Sequence, residues 1–388
     1  MADVGEQTPR PADGVSRPDT PAAGAAAAAD AVARNPHLAR VGRVSRTVAA
    51  DLAQVKPAPG AWRVAVRAGL TVGTALAILG VTGHVALVPY ATFGAFAVVY
   101  GGRAPVRGRW RVQARAGAWL VLAVATGCAV ATNDARAWLA VGVAAVWAAL
   151  GARLSDRYRW LPPGPMFLVF SFVTCAAIPV GPATIGWGAL TAAVTATYGV
   201  LIGVAEGWIA DRRGTRPAGL PPRGPNHRPN RRRVQAIRCA VAVVIAGGAA
   251  TALGIERPGW AMIAAVVPLS VVEVHHQLAR GVHRVLGTLV GLVLAGVLLA
   301  LQPSVAVTLA LVVVLQMLTE LLVARHYGAA LVFITPLALL VVQVSAPEPV
   351  AQLLLARGVE TVIGITVGVV IAVLTRRPPH DAPDPGDP

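Results

Sequence analysis

The chain reads as an all-α integral membrane protein of about twelve transmembrane helices, arranged as two six-helix repeats of the same orientation. Three observations predict this class. Of 388 residues, 55% are hydrophobic and 13% charged, where soluble domains carry about 25% charged residues. The apolar residues gather into spans cut at regular intervals. The arginines then fall almost entirely in alternate gaps between those spans.

Taken in order, residues 1–36 are rich in Pro, Ala, Gly and Asp and read as a disordered N-terminal tail. No early apolar run follows Met1, so no cleavable signal peptide is expected. Over 37–60, Leu38, Val41, Val44, Val48 and Leu52 recur beside Arg40, Arg43 and Arg46. That spacing fits a basic amphipathic helix at a membrane surface, and equally a solvated linker. From Val64 the apolar spans are 64–82, 84–100, 114–131, 136–151, 165–181, 184–208, 234–253, 259–274, 285–301, 304–323, 327–344 and 350–374. A crossing helix needs roughly 17–25 residues. The spans 136–151 and 259–274 are short by that measure, which leaves ten crossings as the alternative count.

Positive charge collects in loops on the cytoplasmic side of a membrane protein. With the N-terminus inside, twenty loop and tail arginines lie on the cytoplasmic side, among them Arg103, Arg107, Arg109, Arg111, Arg153, Arg157, Arg159, Arg325, Arg376 and Arg377. The other side holds two, Arg136 near Asp134 and Arg257 beside Glu256. Both termini are therefore expected in the cytoplasm and the chain in the cytoplasmic membrane. The formal net charge of +16 is parcelled out between spans rather than gathered on one surface, so nucleic acid is not an expected partner. The expected partners are the lipid bilayer, a small organic anion and a second copy of the chain.

The basic linker 212–233 separates a first transmembrane repeat, 61–211, from a second, 234–375, with 376–388 as a cytoplasmic tail. VAVRAG at 64–69 matches QAIRCA at 235–240, and RVQARAGAW at 111–119 matches RGVHRVLGT at 280–288. Arg67 thus pairs with Arg238, Arg111 with Arg280 and Arg115 with Arg284. GVLIG at 199–203 matches GITVG at 364–368. An even number of spans per half gives both repeats the same orientation, related by an axis along the membrane normal.

A basic loop, then Arg280-x-x-x-Arg284 leading into Leu-Gly287-Thr-Leu-Val-Gly291, then a last span RGVETVIGITVG, resembles the fusaric acid resistance protein-like family, the aromatic acid exporter group of inner-membrane transporters. The resemblance covers both halves, roughly 60–375, and is clearest at 280–291 and 357–368. It implies efflux of aromatic carboxylic acids or similar amphiphiles at the expense of the proton gradient. Longer members carry a soluble domain between the halves, where this chain has only the 212–233 linker. A major-facilitator-like transporter and a non-transporting membrane scaffold are the alternatives.

Charged residues within spans are expensive and are candidate functional groups. Arg357 and Glu360 lie about 10 and 15 Å into the last span, at ~1.5 Å per residue. Three apart, they can form an ion pair on one helical face. The functional reading gives the substrate carboxylate to Arg357 and a proton to Glu360; the alternative is a purely structural pair. Thr195 stands opposite Glu360 in the first repeat, so a strictly symmetric site is not expected. Glu320, one turn after Gln316, is a second candidate for proton coupling. Glu206 and Glu273 read as partners of nearby arginines. Arg111, Arg115, Arg280 and Arg284 read as topology markers. Gly199, Gly203, Gly287, Gly291, Gly364 and Gly368 read as packing faces, the last-span set at the repeat interface. Pro89, Pro268 and Pro336 fall inside spans and can kink them.

Cys128, Cys175 and Cys239 lie in apolar runs without a CxxC partner and read as core residues. Glu273, His275, His276 and His283 match no zinc spacing and read as groups of a solvated loop, so no metal is expected. The absence of GxxxxGK[ST], GxSxG and HExxH motifs removes the usual signs of ATP-driven transport and hydrolase chemistry. No catalytic residue and no cofactor are expected, and the chain is not expected to be an enzyme.

Overall fold

The computed structural model describes residues 47, 49–101, 106–213, 229–255, 257–271 and 274–375. Most of 37–48, the linker from 214 to 228, and Arg103, Glu256, Glu273, Arg376 and Arg377 lie outside them. Regular structure among the described residues is helical throughout. After a helical stretch at 49–53, the helices in chain order are α1 (Ala61–Val81), α2 (Val88–Ala95, continued by 3₁₀ turns at Val85–Leu87 and Phe96–Val99), α3 (Val106–Ala131), α4 (Arg136–Tyr158), α5 (Met166–Ala177) and α6 (Ala183–Arg212). They continue as α7 (Pro229–Ala252), α8 (Gly259–Leu269), α9 (Val274–Ala300), α10 (Val305–Val323), α11 (Tyr327–Ser345) and α12 (Val350–Leu374).

Nine of these are long and apolar enough to cross a bilayer, among the described residues. The remaining three, Val85–Val99, Met166–Ala177 and Gly259–Leu269, are shorter. Of the two short spans expected from sequence, 259–274 is short, whereas 136–151 belongs to a long helix. Hydropathy marks where lipid ends, whereas α4 keeps its backbone hydrogen bonds through the polar run Arg153 to Tyr158 and stops at Arg159, which turns left-handed. For the same reason α9 begins at Val274, so His275 to Arg284 are helical rather than a loop. Pro89 sits in the first turn of α2, where a missing N–H costs little. Pro268 and Pro336 are inside α8 and α11.

The short helices form the centre. Every residue of α2 and of α8 is buried, while α6 and α9 present Trp187, Leu190, Val194, Leu289, Val293 and Val297 outward, as lipid-facing helices do. Packing recurs with a step of six helices. In the first half α1 and α2 pack together, and α6 lies against α1, α2 and α3. In the second half α7 and α8 pack together, and α12 lies against α7, α8 and α9. Likewise α5 contacts α3 and α4, and α11 contacts α9 and α10. The halves meet centrally through α5 on α8 and α2 on α11, and peripherally through α4 on α7 and α1 on α10.

Glycines allow the closest of these approaches. A Cβ at Gly364 would collide with the Ala261 carbonyl oxygen and lie 2.6 Å from the Ala264 Cβ; one turn on, a Cβ at Gly368 would collide with the Ala265 carbonyl oxygen. These glycines therefore seat α12 on α8 within one half, not at the boundary between halves. The same holds for Gly287 and Gly291, which face α11, and for Gly199 and Gly203, which face Thr71 of α1 and Gln113 of α3. Spacing identifies a smooth helix face but not the neighbour that uses it.

Candidate functional site

The arginine-rich ends of the helices gather at one end of the bundle. Glu206, near the end of α6, forms ion pairs with Arg67 of α1 and, at 3.0 Å, with Arg109 of α3. Gln235 of α7 donates to the Leu269 carbonyl at the end of α8 (2.6 Å), and Arg280 of α9 donates to Ser270 Oγ (3.3 Å). At the other end, Arg257 before α8 pairs with Glu348 before α12.

Between these ends α12 carries the most buried charges among the described residues. Arg357 and Glu360 are both 0% exposed. They do not form the expected ion pair, and none of the three guanidinium nitrogens of Arg357 has a hydrogen-bond partner. A helix fixes the direction in which each side chain leaves the backbone, and Arg357 turns instead onto Trp260, its Cζ 3.9 Å from the ring centroid. A cation held over an indole face is attracted by the ring quadrupole. The Glu360 carboxylate faces the first-turn backbone N–H groups of α8 at Trp260 and Ala261. That helix end carries partial positive charge. Arg284 of α9, 3% exposed, is within electrostatic reach of Arg357 and donates to Tyr327 Oη at 3.4 Å. Two guanidinium groups and a helix N-terminus thus stand against a single carboxylate at this centre.

Trp260 is the part of the centre that the sequence reading missed. It packs on Phe170 of α5 (ring centroids 5.2 Å apart) and so stands where the two halves meet. Trp260 also lines a narrow cleft, together with Val173, Thr174 and Ile178 of the first half and Arg257, Ile263 and Leu353 of the second. In this conformation its walls leave room for little more than water. Trp260 thus touches both that cleft and Arg357.

The other candidates distribute as follows. Glu320 is 6% exposed and accepts from Gln316 Nε2 at 2.9 Å. It lies on α10 where that helix meets α1, within electrostatic reach of Arg67. Arg111 and Arg115 are exposed, lying over Trp110 and Tyr158, whereas their counterparts Arg280 and Arg284 turn inward onto Tyr327. Sequence-equivalent arginines thus do different work in the two halves. Thr195, opposite Glu360, bonds only its own helix, at Thr191. Cys128, Cys175 and Cys239 are buried free thiols. His283 stands apart from His275 and His276, beside His326.

Helices of this number, length and outward apolarity, wrapped around buried charge, define a multi-pass, all-α membrane protein. Residues 244–371, from α7 to α12, match the model of the fusaric acid resistance protein-like family, and this stretch contains Trp260, Arg284, Glu320, Arg357 and Glu360. The chain is also 26% identical over 145 residues to the "Uncharacterized membrane protein YvaC" of Bacillus subtilis, covering 37% of this chain and 23% of that protein. It thus spans less than a quarter of that relative's length. No solved structure matches.

Proposed function

We propose that the chain is a secondary transporter that exports small amphiphilic organic anions, aromatic acids among them, across the cytoplasmic membrane with proton coupling. The observation that carries this reading is the fully buried, unpartnered Arg357, stacked on Trp260 between the two halves. Leaving a guanidinium without a partner at membrane depth is costly, and an incoming carboxylate would supply two hydrogen bonds in bidentate geometry. Trp260 would cover the apolar body of the same substrate. Glu360 competes with that carboxylate for Arg357, so protonation of Glu360 tunes anion affinity and couples the two species. Glu320, bonded to Gln316, is a second proton acceptor. The step-of-six packing supports two same-orientation repeats around this centre, and the arginine-rich end supports cytoplasmic termini. Alternating access then consists of the halves rocking at the α5–α8 and α2–α11 contacts. No step in this scheme is catalytic.

The test is efflux from proteoliposomes with a panel of aromatic carboxylates, with and without an imposed proton gradient. Movement of at least one acid, accelerated by the gradient and abolished in Arg357→Ala, is expected. If no acid moves and an uncoupler changes nothing, the transporter reading fails and a membrane scaffold becomes the better account.

A further inference from the structure

Away from the buried centre, a second group of chemically competent side chains lies at the arginine-rich end, where α9 begins. His275 and His276 occupy its first turn, their ring centroids 4.2 Å apart. Asp51, far upstream in sequence, joins them: its Oδ2 is 2.6 Å from His276 Nδ1. One donor atom from each of Asp51, His275 and His276 lies within 4.8 Å of the others. All three residues are half-buried, so an ion from water reaches them.

Asp51 is held there by its neighbours. The Leu52 carbonyl accepts from His326 Nε2 (2.7 Å) and lies 3.3 Å from His283 Nε2. Because His326 Nδ1 accepts the Ala329 N–H at 2.9 Å, the ring proton of a neutral His326 sits on Nε2, as that bond requires. The Lys56 N–H donates to the Arg325 carbonyl (2.9 Å). Residues 51–56 are thereby fastened across the start of α9 and the α10–α11 turn, by contacts that involve neither His275 nor His276. The carboxylate is positioned independently of the two imidazoles it meets.

We propose that Asp51, His275 and His276 form a binding site for a late first-row divalent cation of the zinc class, with water completing its coordination. Two imidazole nitrogens and one carboxylate oxygen are a borderline-soft donor set suited to zinc, nickel, cobalt or copper. Magnesium and calcium prefer all-oxygen shells. Tetrahedral zinc with bonds of about 2.0–2.1 Å needs donors roughly 3.3 Å apart, a contraction that side-chain torsions supply. Ligation uses the deprotonated His276 nitrogen, so binding releases a proton where Asp51 and His276 now share one. Arg280, one turn further along α9, lowers the affinity by repulsion, and the Asp51 charge offsets it. Occupancy pins the 51–56 segment to α9, the helix that carries Arg284 towards Arg357. The spacing of His275, His276 and His283 matched no zinc pattern because the third ligand comes from a different part of the chain.

The experiment uses the full-length protein, freed of any polyhistidine tag and held in nanodiscs, titrated with Zn²⁺ by calorimetry and with Co²⁺ by visible absorption. One ion per chain is expected. Asp51→Asn and His276→Ala should each weaken binding about tenfold or more, while His84→Ala, at an exposed position, leaves it unchanged. Absence of binding in the wild type, or binding that both ligand substitutions leave intact, overturns the proposal. If His276→Ala yields no folded protein, the near-isosteric Asp51→Asn decides alone. The readout is equilibrium binding and is independent of whether any acid is transported.

Discussion

Replacing Gly364 by alanine tests the packing on which the buried centre depends. In an open helix the change is favourable, because alanine exceeds glycine in helix propensity by about 1 kcal/mol. At Gly364 the added methyl would occupy the space of the Ala261 carbonyl oxygen and approach the Ala264 Cβ to 2.6 Å. Both obstacles belong to a buried helix and neither is the far end of a flexible side chain, so α8 and α12 must separate. Overpacking of this kind costs about 1–3 kcal/mol, which exceeds the propensity gain over most of that range. Gly142 of α4, where a Cβ meets nothing within 4 Å, is the control. The assay is reversible SDS-induced unfolding in mixed micelles, followed by tryptophan fluorescence. Gly142→Ala should be neutral or stabilising by up to about 1 kcal/mol. Gly364→Ala should destabilise by about 1 kcal/mol, taking the middle of the overpacking range less the propensity gain. Equal stabilisation by both substitutions would refute the close α8–α12 contact.

Glu360→Gln mimics the protonated acid without changing shape; it should tighten binding of an aromatic carboxylate and flatten its pH dependence, read by equilibrium binding at several pH values. An unchanged pH profile in the variant removes Glu360 as the coupling group. Trp260→Ala should open the passage between the cleft and Arg357, making an Arg357→Cys thiol label with a charged reagent added from the cleft side; labelling no faster than in the Trp260 background argues against a barrier there. Glu206→Gln should leave the buried Arg67 and Arg109, 3% and 5% exposed, without their shared ion-pair partner, destabilising by about 3 kcal/mol in the same unfolding assay. A loss below about 1 kcal/mol would mean that both arginines reach water or lipid phosphate.

Much of the architecture was legible because a bilayer imposes simple rules on sequence. Apolar runs coincide with the helices α1 to α12 among the described residues. The buried centre was only half legible. Arg357 and Glu360 stand out as charges in an apolar span, but spacing suggested that they pair with each other. Side-chain direction and the nearness of α8 instead turn Arg357 onto Trp260 and aim Glu360 at a helix N-terminus. Trp260 itself gave no signal, since an aromatic residue in an apolar run is unremarkable until a cation lies over it. Glu206 was read as an arginine's partner, and its two partners come from α1 and α3.

What the sequence by itself determined is the all-α membrane class and the apolar faces of the helices, because these follow from local composition and the cost of placing polar groups in hydrocarbon. What only the tertiary structure decided is which faces meet. The glycines of α12 could have served any neighbour, and it is contact with α8 that assigns them. Asp51 and His276 lie on segments with no sequence relation, and only the docking of residues 51–56 on α9 brings their side chains to 2.6 Å. Contacts between distant segments depend on three-dimensional shape complementarity, which no periodicity along the chain records.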